Sequence, residues 1–396
     1  MMLRVVKMFS TTALLLSSLH SSIAVAGSEL FDAEQLRKHF GLTAYSTDKI
    51  SNVSIAILDI GFDGYEPNSP TLPASAELIA SFPDGNPLAR VRHGLSMAEI
   101  VWGMTGKNPA GPKLYLLNAN GFTNFKQAVQ FAIDKKVDII LYSQNWELGG
   151  NFDGLGFINT IVNQATEAGI LWINAAGNYG GLVYNQKIDF ESEQSVRFKN
   201  NYDENQVTLT LAWNDFTNSE NDQATKDLDI AIYNSDGTQV AISNKAQVPN
   251  EDKKRKPSQY AFEQIITKLP RGEYKVVIKK MGGGFDADQD RLRVTFKSSQ
   301  TEQALELIDK GDTSLGEIMT PADNKNVITV GDLSKDSSRG PTADGRKKPD
   351  LVLDRSEARF TNGLITQGTS NAAAFFASII AIMQAHFIQN NLPRIT

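Results

Sequence analysis

Thr366-Gln-Gly-Thr-Ser-Asn-Ala-Ala-Ala-Phe-Phe-Ala-Ser-Ile-Ile-Ala-Ile-Met383 sets a small polar turn directly against a run of apolar residues. Gly-Thr-Ser ahead of such a run predicts a helix start, because hydroxyl side chains satisfy N–H groups that a first turn leaves unpaired. From Ala372 to Met383 almost every position is apolar, as in a helix buried all round rather than one lying on a surface. That run of 12 residues falls short of the roughly 20 that a bilayer span needs, so it predicts a central core helix. Ser370, at its start, combines an exposed hydroxyl, a favourable dipole and free backbone donors; helix cap and nucleophile are both open to it.

A buried helix needs a sheet to cover. Strand-like runs at Val53–Leu58, Leu114–Leu117, Val137–Tyr142 and Ile170–Ala175 alternate with helix-like periods at Gly94–Met104, Phe122–Lys135 and Gly154–Ala168. This order predicts an α/β domain, a parallel sheet covered by helices on both faces. From about residue 184 the period changes to two, in Gln206–Trp213, Leu228–Tyr233, Tyr274–Ile278 and Leu292–Phe296, with a turn at Asn234-Ser-Asp-Gly237. Short strands divided by turns predict an all-β sandwich. After a linker at Ser299–Thr320, the strand Asn326–Val330 returns the chain to the first pattern. The expected organisation is therefore an α/β domain in two parts, 27–183 and 301–396, with a β-sandwich inserted at 184–300.

Residues 1–26 stand apart. Arg4 and Lys7, an apolar-leaning Thr12–Leu19 and the small residues Ala24-Val25-Ala26 predict a secretory signal cleaved before Gly27, and a secreted or periplasmic protein. A membrane anchor is the competing reading, but the apolar run is too short for it. Cleavage removes two cations and no acid, moving the net charge from −6 to −8. An acidic balance argues against a nucleic-acid partner. The basic cluster Lys253-Lys254-Arg255-Lys256, between Glu251-Asp252 and Pro257, predicts a solvated loop. With no cysteine, disulfides, thiolate nucleophiles and cysteine metal sites are excluded.

In open parallel sheets ligands bind beyond the carboxyl ends of the strands. Asp59 ends one strand and Asn178 follows another; either alone is an ordinary turn residue. Of four histidines, His20 leaves with the signal and His39 sits in a helix-like surface stretch. His386 lies roughly 24 Å along the helix from Ser370, too far to serve as its base. His93, at the start of a helix after a polar loop, remains by elimination. A serine hydroxyl becomes nucleophilic when an imidazole takes its proton and a carboxylate orients that imidazole. Ser370, His93 and Asp59 can supply those roles, and the Asn178 amide and the Ser370 N–H can receive an oxyanion.

In that order these positions resemble the subtilisin-like serine peptidases. Leu58-Asp-Ile-Gly-Phe-Asp63 resembles the family's Asp-Thr-Gly motif, His93-Gly94 its histidine motif, and Ala175-Ala-Gly-Asn178 its oxyanion asparagine. Ser338-Arg-Gly-Pro-Thr-Ala-Asp-Gly-Arg-Lys-Lys-Pro-Asp350 with Gly368-Thr-Ser-Asn-Ala-Ala373 resembles the run into the nucleophile helix, and is the most specific of the four. The resemblance covers residues 30–182 and 316–390. It implies Asp59, His93 and Ser370 as a triad, Asn178 in the oxyanion hole, and Ser143 with Gly149-Gly150 along the substrate cleft. Leu228–Gly237 and Leu269–Val276 are similar to β-sandwich accessory domains of secreted bacterial peptidases. The sequence departs from the family at Leu95-Ser96, at Asn371–Ala374 and at Leu351-Val-Leu-Asp-Arg355, an unusual loop. About 25 residues between cleavage site and first strand leave no room for a folding propeptide.

The expected activity is hydrolysis of peptide bonds in polypeptide substrates through an acyl-enzyme. The alternatives are a non-catalytic binding protein working through the β module, and a hydrolase of esters. No cofactor or metal ligand set is required. Calcium is compatible with the resemblance through backbone carbonyls, whereas Asp286-Ala-Asp-Gln-Asp290 lacks the glycine and terminal glutamate of a calcium loop and predicts a turn.

Overall fold

The structure, a computed structural model, describes residues 29–79, 91–188, 194–248 and 259–396. The predicted signal segment and the basic cluster at 253–256 lie outside the described residues.

Seven strands, β1 (Ser54–Asp59), β2 (Glu77–Ile79), β3 (Lys113–Asn118), β4 (Ile139–Tyr142), β5 (Leu171–Ala175), β15 (Ile328–Asp332) and β16 (Leu351–Leu353), form one sheet in the order β16-β15-β5-β4-β1-β3-β2. All its pairings are parallel. The strands are nearly continuous apolar runs because both faces are buried. Ile55, Ile57, Leu114, Leu116, Ile139, Leu141 and Ile173 point to one side, against α2 (His93–Met104) and α5 (Thr369–Gln389). Ala56, Leu58, Tyr115, Leu117, Ile140, Tyr142 and Trp172 point to the other, against α3 (Phe122–Lys135) and α4 (Phe157–Glu167). A short α1 (Ala33–His39) flanks α2.

The chain runs from β1 out to β2, back to β3, then crosses to β4 on the other side of β1. That reversal places the carboxyl ends of β1 and β4 side by side at the topological switch point, where ligands bind in open α/β sheets.

Nine strands, β6 (Val183–Lys187), β7 (Gln194–Asn200), β8 (Asn205–Trp213), β9 (Asp227–Asn234), β10 (Gln239–Ser243), β11 (Phe262–Leu269), β12 (Gly272–Gly282), β13 (Arg291–Ser298) and β14 (Leu305–Leu307), build two antiparallel sheets between β5 and β15. Their orders are β10-β9-β12-β7-β14 and β11-β8-β13-β6. The inward residues of both, such as Val196, Phe198, Leu209, Ile230, Val276 and Phe296, share one core.

Three expectations change. The apolar run read as a 12-residue helix is part of a 21-residue one, because its flanking polar residues, including Ser370 and Gln384, also take helical positions. By length and composition α5 could cross a membrane, but 67% of its most apolar window is buried inside the fold, which makes it a core helix. Leu351–Leu353, read as a loop, pairs with β15 as an edge strand. Part of the expected linker is β14, paired with β7.

Arg293 ties the return segment to the module. Its guanidinium, 2% exposed as a residue, donates to Asn185 Oδ1 (2.8 Å), Ile318 O (2.7 Å) and Gly316 O (2.9 Å), and lies 4.1 Å from the Phe152 ring centroid. Burial pulls its pKa down to about 10, opposed by Asp323 and Glu317, so it stays charged at neutral pH. Arg293→Met is expected to cost about 3–5 kcal/mol, since three buried acceptors lose their donor; urea denaturation measures it. The Asp286–Asp290 segment folds as a turn in which Asp290 N–H donates to Asp286 O (2.7 Å) and Asp290 pairs with Lys226 (2.5 Å).

Candidate active site

Asp59 closes β1 and is fully buried. Its two carboxylate oxygens lie 2.9 and 2.8 Å from His93 Nδ1, and Oδ1 also accepts the Ile60 N–H at 2.8 Å. The carboxylate thereby fixes the proton on Nδ1 and leaves Nε2 as the basic nitrogen. Burial pulls the His93 pKa down, but the charge and hydrogen bond of Asp59 outweigh it and leave it raised above its usual value.

His93 is the first residue of α2, and the approach of that helix is set by two local features. Arg92 Nη2 contacts both oxygens of Glu99 at 2.7 Å, a salt bridge spanning seven residues whose carboxylate side chain is 1% exposed. Gly94 lets the helix press onto β1: a Cβ there would lie 2.5 Å from the Phe62 ring and 2.7 Å from Asp59 Cβ. Gly94→Ala is expected to lower stability by about 1–3 kcal/mol. A drop in thermal midpoint, with His93 displaced from Asp59, is the outcome to look for.

Ser370 is the second residue of α5. Its hydroxyl donates to the carbonyl of Ser143 at 3.3 Å, and Gln144 Nε2 lies 3.4 Å from His93 Nδ1. Ser370 and His93 thus meet the same dipeptide just beyond the end of β4. They are not hydrogen-bonded to each other. Contacts of this kind tighten only around substrate.

Asn178 Oδ1 accepts the Thr369 N–H (3.2 Å) and hydroxyl (3.0 Å), and Thr369 Oγ1 in turn accepts the Gly177 N–H (3.1 Å). Among the described residues Asn178 Nδ2 donates to no protein group. The helix cap Gly368 has φ +115°, and a Cβ there would crowd Asn178 at 3.1 Å, so glycine suits both the backbone angle and the approach.

Of the residues assigned to the cleft, Ser143 lies beside Ser370, its own hydroxyl buried and unpartnered. Gly149 and Gly150 are buried instead. A Cβ on the first would strike Ile158, and on the second Thr320, because α4 and the return segment pack directly on that turn. Gln144, Thr369 and the Arg92–Glu99 pair went unread in the sequence. Glu99 had a signal, an acid inside an otherwise apolar helix seven residues after an arginine. Among the described residues no group of three or more His, Asp or Glu could hold a metal ion.

No family model and no curated protein sequence matches the chain. Among solved structures, the CspB protease of Clostridium perfringens is similar, with 14% identity and a TM-score of 0.54 over 91% of this chain and 88% of that one. More distant are the prenylagaramide maturation protease PagA (12% identity, 91% and 83% covered, TM-score 0.41) and the psychrophilic subtilisin-like protease Apa1 from an Antarctic Pseudoalteromonas (10% identity, 89% and 87% covered, TM-score 0.34). The parallel sheet between buried helices is the subtilisin-like α/β fold, and in this chain separate antiparallel sheets lie between β5 and β15.

Proposed function

We propose that the chain is an exported serine endopeptidase acting through Asp59, His93 and Ser370. The observation that carries this reading is the convergence of His93, already paired with Asp59, and Ser370 on the dipeptide Ser143-Gln144 at the switch point of the sheet. His93 Nε2 takes the Ser370 proton as Oγ attacks the peptide carbonyl. The oxyanion receives the Asn178 Nδ2–H and the Ser370 N–H, which at the second helical position has no carbonyl partner within the helix. His93 then protonates the leaving amine and activates the water that frees the acyl group. The apolar and basic features of residues 1–26 support the export part of the reading.

A second reading, a binding protein on a peptidase scaffold, is favoured by the Ser370 hydroxyl, which faces Ser143 O rather than His93. A fluorophosphonate probe followed by peptide mass analysis separates the two. Adduct at Ser370 supports the peptidase. A folded protein that takes no label at Ser370 supports the scaffold.

A further inference from the structure

Where the β module meets the site there is a largely buried polar cluster, open to solvent at Lys297, that the chemistry above does not use. Glu147 lies four residues beyond Ser143, the acceptor of the Ser370 hydroxyl. Its Oε1 accepts the Tyr179 hydroxyl at 3.1 Å, and its Oε2 accepts the Thr210 hydroxyl at 2.7 Å. The Lys297 ammonium pairs with the same carboxylate and stands 5.1 Å from the centre of the Tyr179 ring. Thr210 belongs to β8 and Lys297 to the neighbouring β13, whereas Tyr179 directly follows Asn178.

One carboxylate therefore joins three pieces: the segment that touches Ser370, the segment that carries Asn178, and the inserted sheet. Burial alone would raise the Glu147 pKa, but Lys297, Thr210 and Tyr179 outweigh it and hold it low, so the group is an anion at neutral pH. The chain is fastened here from both ends of the insertion. Only Gly180, Gly181 and Leu182 separate Tyr179 from β6, and on the return Thr320 O accepts the Trp146 N–H at 2.7 Å.

We infer that Glu147, Tyr179 and Lys297 form a positioning clamp through which the β module sets the spacing between the Ser143 segment and Asn178, and with it the alignment of Ser370. Its catalytic consequence rests on the peptidase reading; its mechanical part does not. An ion pair serving stability alone would affect global unfolding, whereas a clamp also governs local motion and the reactive step.

The test uses the full chain with Lys297→Met, Lys297→Arg and the double variant Lys297→Met/Glu147→Gln. The double variant removes both charges, so it leaves no unpaired buried carboxylate and keeps the question answerable if Lys297→Met fails to fold. Amide hydrogen exchange is followed at residues 143–148 and 176–180, with strands β9 and β12 of the other antiparallel sheet as internal reference. Fluorophosphonate labelling of Ser370 is resolved into probe affinity and maximal rate.

For the double variant the expected result is faster exchange confined to the two segments, and a maximal labelling rate lower by at least about tenfold at little-changed affinity, as misalignment near 1 Å produces. Lys297→Arg, which keeps the charge, is expected to restore both. Wild-type exchange and labelling in the folded double variant would overturn the clamp. Should the wild type take no label, the peptidase reading falls, and the exchange data alone still decide whether the clamp exists.

Discussion

Ser370→Ala is expected to lower peptide hydrolysis by on the order of 10⁶-fold in kcat, the scale found for loss of the nucleophile in subtilisin, and to abolish fluorophosphonate labelling. The fold should be unaffected. Among the described residues the Ser370 hydroxyl makes one long hydrogen bond, to Ser143 O, and α5 is held by the apolar contacts of Ala372, Ala373 and Phe375 rather than by that hydroxyl. The cap of α5 is Gly368 and Ser370 makes no capping hydrogen bond, so the helix-cap role open to it in the sequence is not the one it takes. Removing its hydroxyl should change stability by no more than about 0.5 kcal/mol. The discriminating result is thus an inactive protein with a near wild-type thermal midpoint. Residual turnover above about a thousandth of wild type would point to another nucleophile.

Asp59→Asn is expected to lower the plateau rate by about 10⁴-fold, because the amide no longer holds the imidazole in the reactive tautomer. It should also move the pH profile in a defined direction. In the wild type, burial lowers the His93 pKa and Asp59 more than compensates, leaving it raised. His93 must be neutral to act as base, so the acid limb of the profile should lie above the ordinary value of about 6.5. With Asp59 neutralised only the burial remains, and the acid limb should shift to lower pH. For stability the sign follows from linkage. A raised folded-state value contributes stability that is complete below about pH 6.5 and lost as pH rises through the raised value. The gap in thermal midpoint between wild type and variant should accordingly narrow as pH rises above about 6.5 and through the raised value. An unchanged acid limb in the variant would remove His93 from the role of base.

How much of this was legible in the sequence depended on how local the physics was. The central strands could be read because both faces are buried, so Ile55-Ala-Ile-Leu58 and Ile139-Ile-Leu-Tyr142 are apolar without a break. The helix Phe122–Lys135 came out with its observed bounds. Strand β7 has a clean alternation in Val196-Arg-Phe-Lys199, yet it was passed over between polar neighbours. Strand β11, with Ile265-Ile266 adjacent and facing opposite ways, shows no single period to read. The short β16 owes its strand form to β15 rather than to its own composition.

Within the candidate site, His93 was legible because the chain has only four histidines, and Asp59, Asn178 and Ser370 because they stand at strand and helix ends in stretches that resemble known motifs. The partners that orient them were not. Thr369 locking Asn178 and Lys297 reaching Glu147 are contacts between residues far apart in sequence or on different sheets, and no single residue announces them. The resemblance implies that the glycines at 149 and 150 continue the cleft wall; in the fold both are buried, with room for no side chain against Ile158 and Thr320.

The lateness of α5 in the chain has a consequence for assembly. Its buried face completes the layer over Ile55, Ile57, Ile139, Leu141 and Ile173, strands laid down some 200 to 300 residues earlier. Contacts so distant are slow to form, and an apolar sheet face left open meanwhile is prone to associate with its like. A polypeptide interrupted before residue 369 would hold the aspartate, the histidine and α2, but neither the serine nor the part of the cover that α5 supplies. Such a fragment leaves apolar surface open to association. Synthesis errors in this protein should therefore surface as insoluble or rapidly degraded material, and on the proposed reading any activity should emerge only in molecules whose core has closed.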